Sequence, residues 1–154
     1  MTQWLIRNQI LISVIVAWAL AQLIKTFLYL RLEGHFSAER LIGSGGMPSS
    51  HSSTVCALAV TAFFLYGIHS FEFAISFVLA IIVMHDAMGV RLETGKQAQI
   101  INAILMDNPF GLKGEVFDQK LKELVGHTPL QVVCGAILGI AVAAVIQFIA
   151  VDLG

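Results

Sequence analysis

Two histidines stand where helices are expected to begin, each beside residues that favour a helix start. His51 lies in GGMPSSHSS (45–53), and His127 lies in GHTPL (126–130). Free backbone N–H groups at a helix start attract anions, and a nearby imidazole can donate a proton or act as a nucleophile. The two motifs therefore favour an anion site. Taken alone, GGMPSSHSS is equally well explained as a capped helix start with a histidine at a wet interface, and His127 alone is better explained as an interfacial histidine than as a catalyst.

The residue types around both histidines predict how these helices begin. Pro48 is expected in the first helical turn, with the neighbouring serines able to cap the helix. At the second start, Thr128 is expected to cap and Pro129 to occupy the first turn. Both starts would present N–H groups and hydroxyls to a bound anion.

The composition excludes an ordinary water-soluble domain. Of 154 residues, 57% are hydrophobic and 12% are charged, and the mean hydropathy is +0.83. Soluble domains carry about 25% charged residues. The net charge of −1 does not favour a nucleic-acid partner. The two cysteines lie in apolar runs and are interpreted as small core residues.

Four apolar runs, at about 8–30, 51–70, 72–91 and 128–151, are long enough to cross a membrane. The sequence therefore predicts an all-α integral membrane protein, a four-span antiparallel bundle in a single domain over residues 1–154. Polar segments 31–50 and 91–127 separate the spans. The second contains amphipathic stretches, KQAQIINAILMDN and EVFDQKLKELVG, expected to lie in the membrane interface or to cover a site.

Alternating span directions bring the polar span ends to one face of the bundle. Spans one and three end on the face where spans two and four begin. That face gathers Lys25, Arg31, His51, Asp86, Arg91 and His127. Ionisable residues at such positions are costly and indicate a functional site. Gly135 and Gly139 are expected to allow close helix packing, and Gln97 and Asn102 either cover the site or lie on the surface.

The motifs resemble a known superfamily. PSSH (48–51) resembles the Pro-Ser-Gly-His motif of the type 2 phosphatidic acid phosphatases, which include vanadium haloperoxidases. HTPLQVVCG (127–135) resembles their closing motif, His-x-Pro-x-Asp-Val-x-x-Gly. With DAMGVR (86–91) and GKQAQIIN (95–102), the chain is most similar to the divergent branch of that superfamily.

This resemblance implies roles for individual residues. His127 matches the nucleophile that takes the phosphoryl group, and His51 matches the acid that protonates the leaving oxygen. The residues assigned to phosphate binding are Lys25, Ser49, Ser50, Arg91 and Lys122. Gln131 replaces the aspartate that orients the nucleophile, so that Asp86 or Glu123 is expected to take over that task. No metal or other cofactor is implied, although His51, His85, Asp86 and His127 would form an alternative metal site.

The function implied is a metal-independent phosphatase that hydrolyses a lipid or prenyl phosphate through a phosphohistidine. The alternative is a catalytically reduced membrane protein that binds a phosphorylated lipid headgroup or an assembly partner, which Gln131 favours. Eight of the nine Lys and Arg residues lie on the histidine face. The positive-inside rule therefore predicts a multi-pass plasma-membrane protein whose site faces the cytoplasm. Formation of a homo-oligomer is left open.

Overall fold

The computed structural model describes residues 8–34, 46–107, 121 and 126–152, and these residues form five helices. In chain order they are α1 (Gln9–Glu33), α2 (Ser50–Tyr66), α3 (Phe71–Met88), α4 (Val90–Asp107) and α5 (Pro129–Asp152). The described part of the chain contains no strand. The predicted all-α architecture is confirmed.

Within the described residues, three stretches are long and apolar enough to cross a membrane: Gln9–Glu33, Phe71–Leu105 and Pro129–Asp152. The chain is therefore an integral, multi-pass membrane protein. Helix α2 is apolar but has only 17 residues, because it ends at Gly67, whose φ is +82°. At 1.5 Å per residue α2 is about 25 Å long, slightly less than the hydrocarbon core of a bilayer. The span predicted at 51–70 stays a prediction.

Gly89 separates α3 from α4, with φ −99° and ψ −101°. Helix α4 begins at Val90, six residues before the predicted amphipathic stretch that starts at Lys96. Its buried side consists of Gly95, Ala98 and Asn102, and its isoleucines are exposed. Exposed isoleucines agree with an interfacial location, which stays a prediction. The second amphipathic stretch lies outside the described residues, except for Leu121 and Gly126.

The core between α1, α2 and α5 consists of small residues arranged in layers. Ala17, Ala57 and Ala143 are fully buried and form the central layer, against which Val60 and Ile146 also pack. Helix α1 is antiparallel to α2 and α5, so a step of four residues back along α1 matches four residues forward along the other two. In the direction of the histidines, the next layers are Ala21, Ser53 and Gly139, then Lys25, Ser49 and Gly135.

Two glycines let α5 approach the backbone of α2. A Cβ atom added to Gly135 would lie 2.3 Å from the carbonyl oxygen of Ser49, and one on Gly139 would lie 2.2 Å from that of Ser53. Real Cβ atoms do not approach an oxygen so closely, so neither position accommodates a side chain. The predicted close packing at Gly135 and Gly139 is confirmed, and it sets the starts of α2 and α5 side by side.

Candidate active site

Ser49 is the N-cap of α2. The Ser49 Oγ accepts hydrogen bonds from the Ser52 N–H at 3.3 Å and from the Ser52 hydroxyl at 3.0 Å. The helical ladder begins with the Ser53 N–H and the Ser49 carbonyl, so the N–H groups of Ser50 and His51 precede it. Pro48 lies before the cap rather than in the first turn. That prediction was wrong, because the Ser49 side chain makes residue 50 the first helical residue.

The start of α5 is a reciprocal capping box. Thr128 Oγ1 accepts from the Gln131 N–H at 3.4 Å, and Gln131 Oε1 accepts from the Thr128 N–H at 3.2 Å. Pro129 is the first helical residue, so the predicted cap and first turn are confirmed. The spacing Thr-x-x-Gln is the sequence signal of this box. It would have identified Gln131 as a structural acceptor, a role that the motif comparison alone missed.

The same glutamine oxygen fixes the tautomer of His127. Gln131 Oε1 lies 3.1 Å from His127 Nδ1. Because the Thr128 N–H can only donate, the amide atom that it meets must be the oxygen, and Nδ1 must then carry a proton and donate to it. The lone pair of the neutral ring is therefore on Nε2. This atom is buried and has no hydrogen-bond partner in the described part of the chain.

His127 is held firmly between α3 and α5. Its side chain is 2% exposed, and its backbone N–H donates to the Ala87 carbonyl at 2.9 Å. The ring centroid lies 5.9 Å from that of His51, and the two planes are inclined by 59°. The two histidines singled out in the sequence, 76 positions apart by number, are thus brought together.

Positive charge surrounds the histidine pair. Lys25 on α1 is 3% exposed, and Gly46 lies against its aliphatic stem, where an added Cβ would be 3.2 Å from Cγ. Arg91 at the start of α4 donates through Nε to Asp86 Oδ2 at 2.6 Å, and this pair is exposed to solvent. The charges of Lys25 and Arg91 act on both histidines. Lys122 and Glu123 lie outside the described residues.

The environment of His127 favours the neutral imidazole. Burial lowers the pKa of His127 below its ordinary value, and the hydrogen bond to Gln131 acts in the opposite direction. The positive charges of Lys25 and Arg91, and the proximity of His51, also lower this pKa. At neutral pH the ring is therefore unprotonated, which is the form that can attack phosphorus.

Asp86 does not occupy the position that orients His127. The atom bonded to Nδ1 belongs to Gln131, whereas Asp86 pairs with Arg91 and its charge acts on His51. His85, the other residue of the alternative metal site, is exposed. Among the residues with described positions, no group of three His, Cys, Asp or Glu side chains is placed to hold a metal ion.

The segment that leads to His127 is held against α4 at two points. The buried side chain of Asn102 donates to the Leu121 carbonyl and accepts from the Leu121 N–H, both at 2.8 Å. Gly126 has φ +87°, and a Cβ there would lie 2.4 Å from the Leu92 nitrogen. Asn102 is thus a support for the chain near His127, while Gln97 is exposed.

A groove of about 270 Å³ adjoins the site. Ser50, His51 and Thr54 form its polar part, and Trp18, Val55 and Val83 form its apolar part. Its lining residues come from three helices, α1, α2 and α3. Trp18 on α1 therefore lines a groove that reaches His51.

The helices and the paired histidine starts define a multi-pass helical membrane protein with a polar site at one end of its bundle. The chain belongs to the Divergent PAP2 family, whose sequence pattern matches residues 6–142. It is also 36% identical over 153 residues to "Uncharacterized membrane protein YuiD" of Bacillus subtilis (strain 168), covering 94% of this chain and 97% of that protein. No solved structure gives a significant match. The resemblance drawn from the motifs is confirmed.

Proposed function

We propose that this protein is a metal-independent phosphatase that hydrolyses a lipid or prenyl phosphate through a phosphohistidine at His127. The observation that carries the proposal is the hydrogen bond from His127 Nδ1 to Gln131 Oε1, which leaves a lone pair on the buried Nε2 next to His51. An oriented, neutral imidazole beside a second histidine is the arrangement that nucleophilic catalysis with a separate proton donor requires.

In the first proposed step, His127 Nε2 forms a bond to phosphorus while the bond from phosphorus to the leaving oxygen breaks. Protonated His51 gives its proton to that oxygen, so that an alcohol departs. In the second step, neutral His51 takes a proton from water as the water oxygen attacks phosphorus. Inorganic phosphate leaves, His127 becomes neutral again, and His51 is protonated for the next cycle.

Electrostatic stabilisation of the phosphoryl group is assigned to the cations and the helix start. A transferring phosphoryl group carries negative charge on its equatorial oxygens. Lys25, Arg91 and the N–H groups of Ser50 and His51 surround the histidine pair and would meet that charge. One pre-aimed donor of this kind contributes about 2.7–4 kcal/mol in other enzymes. Ser49 supports the site as the cap of α2, and we assign Asp86 to holding Arg91 in place.

The groove beside His51 supports a lipid substrate rather than a soluble phosphate ester. Its polar part shares His51 with the site, and its apolar part is formed by Trp18, Val55 and Val83. An amphipathic substrate would place its phosphate near the histidines and the start of its hydrocarbon chain along the apolar part. We further propose that the site faces the cytoplasm of the cell, as the distribution of positive residues predicts.

The full chain in detergent or lipid nanodiscs provides the test. Phosphate release is measured from prenyl, diacylglycerol and aryl phosphates, with and without chelator, and His127→Ala is the matched control. We expect release from the wild type that chelator leaves unchanged and that His127→Ala abolishes. Loss of activity with chelator, restored by a divalent metal, would overturn the metal-independent mechanism.

A second candidate function follows from the neutral side chain of Gln131, which supplies no charge to a phosphorylated imidazole ring. A catalytically reduced protein would bind a phosphorylated lipid headgroup without hydrolysing it. Binding of lipid-phosphate vesicles that Lys25→Met abolishes, together with no phosphate release, would favour this function over the phosphatase.

A further inference from the structure

A layer of polar residues lies inside the apolar bundle, on the side of the alanine layer away from the histidines. Ser13 is four residues before Ala17 on α1, Thr61 is four after Ala57 on α2, and Gln147 is four after Ala143 on α5. Because α1 is antiparallel to the other two helices, these three residues stack on the same side of the alanines. We call Ser13, Thr61 and Gln147 the polar layer. Gln9 follows one turn further along α1.

Most of the polar layer is buried, although Gln147 as a whole is only half-buried. Ser13 is 0% exposed and Thr61 is 1% exposed, and the Oε1 atoms of Gln147 and Gln9 are buried as well. The Oγ of Ser13, the Oγ1 of Thr61 and both glutamine Oε1 atoms have no hydrogen-bond partner among the described side chains and backbone.

Other hydroxyl groups in the same helices do find partners. Ser53 donates to the Ala17 carbonyl at 3.1 Å, Thr26 to the Gln22 carbonyl at 2.8 Å, and Thr54 to the Ser50 carbonyl at 2.7 Å. The hydroxyl groups of Ser13 and Thr61 differ from these three, whereas one further buried amide oxygen without a partner, Gln22 Oε1, lies on α1 outside the polar layer. Unsatisfied polar groups are especially costly in the interior of a membrane protein, where no bulk water competes for them. A partner shared by these oxygens would remove this cost for several of them at once.

We infer that the polar layer binds a small cluster of water molecules that bridges α1, α2 and α5. Buried water satisfies two to four polar groups, and it both donates and accepts, as this mixture of hydroxyls and amide oxygens requires. No residue of the layer is ionisable, so a bound cation would lack a counter-charge there. Glu72 at the start of α3 is exposed and lines a different groove, with Ile10 and Ala62.

Bound water would fix the register of the helices in the half of the bundle that lies away from the histidines. The alanine layer and the two glycines fix the packing near the histidines, but the polar layer has no direct side-chain hydrogen bond between helices. A water cluster would link the three helices at this depth, and two layers of residues would separate it from Lys25 and Ser49. It is independent of the proposed phosphatase activity.

The direct test is solid-state NMR of the full chain in lipid bilayers, with carbon-13 in threonine and alanine. Polarisation is transferred from water, and the signal build-up at Thr61 is compared with that at exposed Thr94 and at buried Ala57. We expect the Thr61 signal to build up as fast as that of Thr94, and to become slow in Gln147→Leu. Build-up in the wild type as slow as that of Ala57 would overturn the proposal.

Thermal unfolding provides an independent measurement. If water bridges the layer, Ser13→Ala and Thr61→Val should each lower the Tm by about 2–4 °C, and their effects should not add in the double variant. Thr26→Val, whose hydroxyl bonds within its own helix, is the matched control and should change the Tm less. A higher Tm in Thr61→Val would indicate a dry layer and contradict the proposal. A Tm that depends on sodium against potassium or choline, and loses that dependence in Thr61→Val, would replace water with an ion.

Discussion

The backbone N–H of Ser49 donates to the backbone carbonyl of Gln131, with 3.0 Å between nitrogen and oxygen. The side chain of Gln131 holds the ring of His127 at the same time. One residue therefore ties the cap of α2 to the start of α5 and orients the proposed nucleophile. The distance between the two histidines depends on this bond and on the close approach of Gly135 to Ser49.

Separate substitution of the histidines distinguishes their proposed roles. His127→Ala removes Nε2 and should abolish phosphate release from every substrate. His51→Ala should keep activity on aryl phosphates, whose leaving group needs little protonation, and lose about 10²–10⁴-fold on alkyl phosphates. The measurement is kcat/KM for one aryl and one alkyl phosphate. Equal losses on both substrates would contradict the assignment of His51 as the acid.

The acid limb of the pH–rate profile should report on His127. Because burial lowers the pKa of this ring below 6.5, activity should persist as the pH falls through 6.5 and decline only at lower pH, where Nε2 becomes protonated. Gln131→Asp places a negative charge beside Nδ1 and favours the protonated ring. Its acid limb should therefore lie at higher pH than that of the wild type. Identical profiles for the two proteins would count against the orienting role of Gln131.

The same lowered pKa affects stability. Between the pKa of the folded state and 6.5, the unfolded chain binds a proton at His127 that the folded chain does not. The contribution of His127 to the free energy of unfolding should thus be fully present above pH 6.5. It should be lost as the pH falls from 6.5 through the lower pKa of the folded state. Comparison of the wild type with His127→Gln in chemical unfolding at several pH values measures this contribution. The same pH dependence in both proteins would show that other groups are responsible.

Removal of the Lys25 charge should impair turnover without unfolding the protein. Lys25→Met keeps an aliphatic stem against Gly46 but removes the ammonium group, so that Arg91 remains as a positive charge acting on the histidines. We expect kcat/KM to fall by about 10²–10³-fold, as for other donors to a transition-state anion. Lys96→Met, at an exposed position paired with Glu93, is the matched control and should leave kcat/KM near the wild-type value. Equal effects of the two substitutions would remove Lys25 from the site.

The close approach of α5 to α2 at Gly139 can be tested by comparing two substitutions in α5. Gly139→Leu forces a side chain into the Ser53 carbonyl and should lower the free energy of unfolding by about 1–3 kcal/mol. Ala141→Leu introduces the same residue two positions away, on the exposed side of α5, and should have little effect. Chemical unfolding in detergent measures both, and similar stabilities would contradict the close helix approach.

Membrane orientation can be tested with single cysteines in a chain where Cys56 and Cys134 are replaced. Glu93→Cys lies in α4 on the histidine side, and His69→Cys lies in the turn between α2 and α3. For a cytoplasmic site, an impermeant thiol reagent should label His69→Cys on intact cells and Glu93→Cys only after lysis. Labelling of Glu93→Cys before lysis would reverse the orientation.

The sequence predicted much of the fold because a membrane imposes simple rules on it. Long apolar runs with few charged residues predicted α1, α3 and α5 to within a few residues. Alternating directions then implied that Lys25, Arg91 and the two histidines would meet, and the structure brings them together. The Gly135 and Gly139 spacing indicated close packing for the same reason, since small residues on one helical face allow backbones to approach.

Other features depend on relations that no single segment contains. Gln131 replaces a carboxylate of the motif, and the spacing Thr-x-x-Gln signals only its capping role. That the same amide oxygen also accepts from His127 Nδ1 depends on the folded geometry. The polar layer was invisible because Ser13, Thr61 and Gln147 stand alone in separate apolar runs. The sequence predicted Pro48 in the first turn rather than before the cap, because several serines in a row offer equivalent helix starts. Lys122, which the resemblance assigned to phosphate binding, lies outside the described residues.

The four-residue spacing along α1 restricts how the length of this chain can change in evolution. One inserted residue between Ser13 and Lys25 would turn the two ends of α1 by about 100° relative to each other. Either Lys25 would then face lipid, or Ser13 and Gln9 would leave the interior. Insertions and deletions in related proteins should therefore accumulate outside the helices, and those retained within α1 should restore the phase by adding or removing whole turns.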